Sequence, residues 1–445
     1  MVDREFAPRL LDAALKGGAR EAEVYLRASK SLSVEVKDGQ VDTLESSVHM
    51  GYGIRVIREG RLGFSYSNDP SEAEAVAARA LESSHHTMPD EYLGLPAPSV
   101  PASVRTYDEA IASLSEEEAI ERALLIERTA LGEDRRISKV RKATASFSGG
   151  ETFVLNSRGL EVRYPSTACA AQVMTIAEEA GESRTGWDYE GSRLLGGVSF
   201  EQVGRNAARR ALSLLGARKI TPLKGAVILD SSIAVEFLGI LASALSAESV
   251  QKNRSMLRDR LNEQVLSPAV DVRDSGLLDG RLGSRPVDDE GVPVRDKVMI
   301  DKGVLRGYLY NTYTARKGKT VSTGNAARGG YAGLPSVGPT NLYLTPAVAA
   351  SALPFDSLIR HAGRGLYVIE TMGMHTANPV NGEFSVGASG IWIEGGTPSY
   401  PVKEAVISGS ILGLFGNITM VGDDMRFYGN IGAPSLLIEG VDISA

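Results

Sequence analysis

The sequence predicts an α+β protein. An N-terminal α/β domain of antiparallel strands and helices precedes a C-terminal β-rich domain with one prominent apolar helix. Three observations carry this. Helical and strand periodicities alternate through about the first 218 residues. From about Pro293 onward short strand signals dominate. Glycine supplies 48 of 445 residues, about 11% against an average near 7%, scattered as tight turns between strands require. At about 100–200 residues per domain, the length suits two large domains.

Taken in order, Glu5–Lys16 places Leu10, Leu11, Ala14 and Leu15 on one helical face and stops at Gly17-Gly18. Residues 21–29 and 31–37 alternate with a period of two, and Asp38-Gly39 is a hairpin signal. Strand signals follow at 41–48, 51–58 and 61–67, with Glu59-Gly60 as a second turn. Asp69-Pro70 is an N-cap followed by a first-turn proline, opening a helix through Ala73–Leu81. Residues 85–107, with four prolines, read as a connector. Ser115 and Glu118 form a capping-box pattern for a helix to about Leu131. Strands resume at 137–147, 152–156 and 160–175. A helix from Ser199 to Leu215 carries Arg205, Arg209 and Arg210 on what the pattern makes a solvated side. The domain boundary falls near Arg218–Lys224, giving domains of 1–218 and 219–445. Beyond it come a short buried strand (226–229) and the apolar helix Ser231–Leu245. Strands follow at 298–300, 304–310, 341–344, 365–371, 383–386, 391–394, 404–407, 418–421 and 435–439.

Composition excludes several function classes. The net charge of −7 argues against a dedicated nucleic-acid binder. No stretch reaches the ~20 apolar residues a spanning helix needs, and the first residues lack the apolar core of a signal peptide. The single cysteine, Cys169, can form neither an internal disulfide nor a cysteine zinc cluster; flanked by alanines in a strand, it reads as buried filler. These features imply a cytoplasmic protein with no direct contact to nucleic acid or membrane.

Common catalytic motifs are absent: no phosphate-binding G-x-x-x-x-G-K-[ST], no His-Glu-x-x-His, no G-x-S-x-G. Of the five histidines, His49 and His361 have no carboxylate or histidine at ligand spacing, and the adjacent His85-His86 read as a solvated loop rather than a metal pair. His375, in the loop Gly373–Thr376, is the one with a case for lining a site. The acidic groups Asp271/Asp274/Asp279 and Asp288-Asp289-Glu290 lack calcium-loop order and read as capped, solvated turns.

Several ordered segments resemble one family. They are RPVDDEGVPVR at 285–295, KGVLRGYL at 302–309, Ala315-Arg316, STGNA at 322–326, NPVNGEFSVGASG at 378–390, IWIEGG at 391–396 and MVGDD at 420–424. GQVD at 39–42 and GYGIR at 51–55 extend the likeness across most of the chain. This set resembles the TldD/PmbA family of metallopeptidases. In that family the TldD-like branch carries His-Glu-x-x-x-His on a helix after a strand, plus a cysteine near the C-terminus, as zinc ligands. The equivalent positions here are Val235, Glu236, Gly239 and Ile240, with Asn430–Pro434 where the cysteine would fall. Peptidase zinc needs about three protein ligands and an open water position, and Val235 and Ile240 offer no donor.

The chain thus resembles the TldE/PmbA branch. The resemblance implies a subunit with no catalytic residue and no metal of its own, pairing with a zinc-bearing TldD-like paralogue, or with itself. It also implies peptide substrates that bind by adding a strand to a sheet edge. Loops near Thr320–Ala326 and Met372–Asn378 would line the cavity, with Thr323, Asn325 and His375 as the binding candidates.

Overall fold

The structure, a computed structural model, describes residues 6–444; Glu5, where the sequence starts the first helix, and the extreme N-terminus lie outside the described residues. The fold is α+β. Its N-terminal sheet is antiparallel throughout: β1 (Glu21–Lys37), β2 (Gln40–Arg58), β3 (Arg61–Ser67), β4 (Ile137–Asn156), β5 (Glu161–Glu179) and β6 (Glu182–Ser192), ordered β3-β2-β1-β4-β5-β6. Signals that look like separate strands fuse into long ones. Lys30, where the pattern breaks, still pairs with Val48 on one side and Gly149 on the other, so the ladder runs through it. Asp38-Gly39 (φ 54° and 73°) and Glu59-Gly60 (52° and 73°) make the paired positive-φ turns that match strand twist.

The two faces of this sheet differ. Val24, Leu26, Leu32, Val34 and Val36 of β1 are buried on one face. Helices Phe6–Lys16 and Ala73–Ser84 cover the first two; Glu116–Gly132 and Phe200–Ser213 cover the rest. Asp69 caps a 3₁₀ turn, Pro70–Glu72, that leads into Ala73–Ser84, and the Ser115/Glu118 capping box forms. On the opposite face Tyr25, Val154, Val162 and Tyr164 pack against Val287 of the second half. Residues 85–107 contain no helix or strand.

The second half contains two larger sheets and a two-stranded ribbon. The first sheet runs β10-β9-β8-β13-β19-β18: β8 (Val270–Ser275), β9 (Asp296–Asp301), β10 (Val304–Leu305), β13 (Leu342–Pro346), β18 (Arg426–Tyr428) and β19 (Ile431–Ala433). Between them β11 (Ala326–Ala327) and β12 (Ser336–Val337) form the ribbon. The other sheet runs β16-β15-β14-β7-β20-β17: β7 (Leu223–Leu229), β14 (Gly365–Met372), β15 (Glu383–Glu394), β16 (Thr397–Ser410), β17 (Ile418–Val421) and β20 (Leu436–Ser444). β16 also pairs with β20, so this sheet curls upon itself. Helix Ser231–Ala244 lies between the two sheets, against β18 and β19 of one and β7 and β14 of the other. A helix enclosed on both sides can be apolar all round, and that is why it stands out in the sequence.

Three readings need correction. Asp274, expected in a solvated turn, is fully buried in β8, where Lys297 compensates its charge. Arg205 and Arg209 are solvated, but Arg210 is not. Its side chain is 14% exposed and donates to Asp230 Oδ1 at 2.6 Å, because Phe200–Ser213 ends against the start of the apolar helix. Asp288 caps its turn, accepting from Glu290 N and Val292 N, but Asp288, Asp289 and Glu290 are all buried rather than solvated. They sit where the second half closes over the N-terminal sheet, among the arginines that compensate them.

Candidate functional site

The candidate site begins at Asp230, the residue after β7. Its Oδ1 accepts from Ser232 N at 3.0 Å and so caps helix Ser231–Ala244. Its Oδ2 accepts from Tyr367 Oη at 2.7 Å, and Arg210 reaches Oδ1 from helix Phe200–Ser213. Burial alone would raise this carboxyl, but Arg210, Ser232 and Tyr367 outweigh it and hold Asp230 below the ordinary carboxylate value. The start of the helix is thereby locked to a strand, β14, and to helix Phe200–Ser213.

One turn further along, the four motif positions come into view. Val235 is buried and Ile240 packs against the main core. Glu236 is half-buried, and its Oε2 accepts from Thr371 Oγ1 at 2.7 Å. Burial pushes the Glu236 carboxyl up, and the Thr371 hydroxyl opposes this. A β-carbon built on Gly239 meets no atom within 4 Å, so the helix faces open space there. Strand β19, which contains most of Asn430–Pro434, packs against the same helix. Helix positions 235–240 and the segment 430–434, which the resemblance aligns with the zinc ligands of TldD-like chains, thus belong to elements that pack together. Val235 and Ile240 carry no metal donor, and 430–434 has no thiol. Among the described residues no three His, Cys, Asp or Glu side chains converge to hold a metal ion.

The binding candidates fall in two places. His375 lies exposed on a 3₁₀ turn, Met374–Thr376, just past β14. Asn325 is fully buried, and its Nδ2 donates to Asp274 Oδ2 at 2.9 Å and to the Gly338 carbonyl at 3.0 Å. Thr323 Oγ1 accepts from Tyr310 N at 2.7 Å and lies 2.8 Å from Asn325 Oδ1. Asp274 is completed by Thr340 and by Lys297 Nζ at 2.9 Å. These side chains are occupied with one another and hold the 320–326 loop down. Cys169 is buried, which pushes its thiol up to about 12 and leaves it unreactive.

A second group of charges has a weaker trace in the sequence. Arg55 Nη2 lies 2.7 Å from Glu23 Oε2, and its Nη1 lies 2.9 Å from Glu290 Oε1; Arg328 also pairs with Glu23, and Arg285 with Asp289 at 3.1 Å. All but Arg285 are under a tenth exposed. Placed between two carboxylates, Arg55 is held above its ordinary value despite burial. Beside this chain Tyr331 lies directly over Gly51 and Gly53: a β-carbon at 53 would stand 2.3 Å from the Tyr331 carbonyl oxygen. The one signal was charge on the inner face of otherwise apolar strands, Glu23 beside Val24 and Arg55 beside Ile54.

A two-sheet core enclosing a capped apolar helix, joined through buried ion pairs to a helix-backed antiparallel sheet, is the architecture of a metallopeptidase family. Its family models match three stretches: "PmbA/TldA metallopeptidase domain 1" over residues 22–84, the central domain over 109–215 and the C-terminal domain over 223–445. The chain belongs to the PmbA/TldD metallopeptidase family. It is 31% identical to metalloprotease PmbA of Escherichia coli O157:H7 over 443 residues, covering 96% of this chain and 93% of that one. A Thermotoga maritima structure described as a putative modulator of a DNA gyrase superposes with TM-score 0.91 at 30% identity, covering both chains fully. TldE from Thermococcus kodakarensis superposes with TM-score 0.90 at 21% identity, covering 99% of this chain and all of that one, a likeness of fold.

Proposed function

We propose that this chain is a non-catalytic TldE/PmbA-like subunit of a cytoplasmic two-subunit metallopeptidase that processes unfolded or small peptides. The observation that carries the reading is the helix 231–244 itself. It keeps the glutamate of the motif, Glu236, but has Val235 and Ile240 at the two histidine positions. Zinc in a peptidase lowers the pKa of bound water to about 7 and polarises the scissile carbonyl. In this reading it is held by a TldD-like paralogue, and this subunit completes the chamber and holds the peptide. Without metal-bound water Glu236 has no proton to abstract, and it serves here to anchor β14 through Thr371.

Co-purification with a His-Glu-x-x-x-His relative from the same cell, followed by incubation with unfolded casein, tests this. The pair cleaves and this chain alone does not; a stable pair that leaves casein intact overturns the proposal.

A second reading, a homodimeric peptide-binding or regulatory protein without proteolysis, is favoured by one feature. The outer edge of β2 over residues 40–50 pairs with no strand among the described residues, since β3 reaches only Tyr52, and Val48 there is 76% exposed. Such an edge can add a strand from a peptide or a second copy. A homodimer that binds peptide and gains no activity from any paralogue would establish it.

A further inference from the structure

Three arginines gather where the N-terminal sheet meets the second half. Arg27 of β1 stands on the sheet face that carries Tyr25, opposite Thr152 of β4, and Thr152 stands opposite Tyr164 of β5. Arg193, just past β6, and Arg285, from the second half, both act on the Tyr164 hydroxyl. Arg193 and Arg285 keep some exposed surface, and Arg27 is exposed.

Arginines that fold inward are normally paired with a carboxylate. Arg285 is: Asp289 lies 3.1 Å from its Nη1, and Asp288 adds to the same field. Arg193 is not. It makes no ion pair among the described residues, and the charged groups that act on it are Arg285 and Arg27. Its Nη1 and Nη2 donate to the main-chain carbonyls of Thr167 (3.4 Å) and Leu282 (2.6 Å), and its Nε is buried without a hydrogen-bond partner. Burial pulls its guanidinium down to about 10; Tyr164 opposes this, and Arg285 and Arg27 add to it. Arg27 has no ion-pair or hydrogen-bond partner among the described residues. The nearby acids are already taken. Asp289 accepts from Tyr25 Oη, Arg285 and Arg328 N, and Asp288 from three main-chain N–H groups. Arg328, over the Tyr25 ring, is paired with Glu23. Arg193 and Arg27 are thus two neighbouring guanidiniums without a counter-charge, and a guanidinium fork matches a carboxylate or phosphate.

The sheet beside them gives the anion a context. Along the same face the next two rows are Ser29–Gly150–Ser166 and Ser31–Ser148–Ala168, all small and partly exposed. Such a surface leaves room for an extended main chain.

We propose that Arg193 and Arg27 bind the C-terminal carboxylate of an extended peptide lying on the N-terminal sheet. The carboxylate supplies the charge that both arginines lack, and the residues before it pass over the two rows of small side chains. A single negative charge suits the place better than a phosphate dianion, because Asp289 and Asp288 behind Arg285 repel a second one. This deepens the peptide-holding role proposed above and rests on it. The two fail separately: carboxylate binding is read on this chain alone, and casein cleavage only on the pair.

Isothermal titration of the full-length chain, by itself, with N-acetyl-trialanine tests it. One molecule binds per chain. The same peptide closed by a C-terminal amide, which removes the charge and keeps the main chain, binds about tenfold more weakly or worse. Arg193→Met weakens binding of the acid by about tenfold or more and leaves the amide unchanged. Arg27→Gln, at an exposed position that the fold does not depend on, weakens the acid roughly threefold. Absence of any heat at millimolar N-acetyl-trialanine, equal binding of acid and amide, or parent-like binding of the acid by both variants overturns the proposal. Inorganic phosphate that displaces the acid at equal concentration overturns it too and assigns the arginines to a free anion.

Discussion

Arg328→Met tests how the two halves are joined. The Arg328 side chain is 1% exposed. Its guanidinium pairs with Glu23, donates to the carbonyls of Asp289 (3.2 Å) and Gly333 (2.9 Å), and lies 4.8 Å from the centre of the Tyr25 ring. Methionine keeps the apolar stem and removes the charge. Glu23, whose side chain has no exposed surface, then keeps only Arg55, which Glu290 shares. Breaking one side of a buried pair costs about 3–5 kcal/mol. Burial outweighs the pull of Glu23 and draws Arg328 below its ordinary value. The guanidinium is thus not fully compensated, and the lower end, about 3 kcal/mol, applies. Glu23→Gln alone leaves two guanidiniums short of a counter-charge and costs a similar amount. The double variant costs less than the sum by about 1.5–3 kcal/mol, the coupling expected of side chains in direct contact. Urea denaturation reads this, and the two tryptophans, Trp187 in β6 and Trp392 in β15, report on each half separately. A loss below about 1 kcal/mol for Arg328→Met, or additive single variants, refutes the reasoning.

Three further outcomes follow from the same structure. Asp230 has a depressed folded-state value, so its contribution to stability is present above its unfolded value, near 3.8, and is lost as pH falls below that; Asp230→Asn is less stable than the parent at pH 7, and urea midpoints show the gap closing in strong acid. Glu236 has a raised value, so its charge is a burden when folded; Glu236→Gln keeps the acceptor for Thr371, is at least as stable as the parent at pH 7, and loses any advantage below about pH 4.5, again by urea midpoint. Gly53→Ala forces a β-carbon to within 2.3 Å of the Tyr331 carbonyl, and calorimetry finds the melting temperature lowered by an overpacking cost of about 1–3 kcal/mol.

Local rules made the helices and turns legible. Asp69, Ser115 and Ser199 cap their helices because short polar side chains beside an apolar period leave little alternative, and Asp38-Gly39 turns because it tolerates positive φ. Strand ends were less legible: Lys30 and Gly149 interrupt the pattern without interrupting the ladder, whose hydrogen bonds are blind to side-chain polarity. Arg210 and Asp288–Glu290 were misread for a different reason. Charge normally signals solvent, and only the long-range pairing to Asp230, Arg55 and Arg285 makes burial tolerable there. The resemblance segments GYGIR and RPVDDEGVPVR turn out to be the two sides of that interface: Arg55 meets Glu290, and Gly51 and Gly53 give room to Tyr331. The motif positions 235–240 were legible as residues, while the approach of β19 to the same helix needed the fold.

The central claim is that this subunit holds no catalytic metal of its own. Elemental analysis of the untagged chain, purified alone and passed through gel filtration, tests it most directly. The account predicts no stoichiometric zinc or other transition metal, and wild-type metal content in Glu236→Gln. About one tightly bound metal per chain, lost on that substitution, would contradict it and place a catalytic centre on the helix that begins at Ser231.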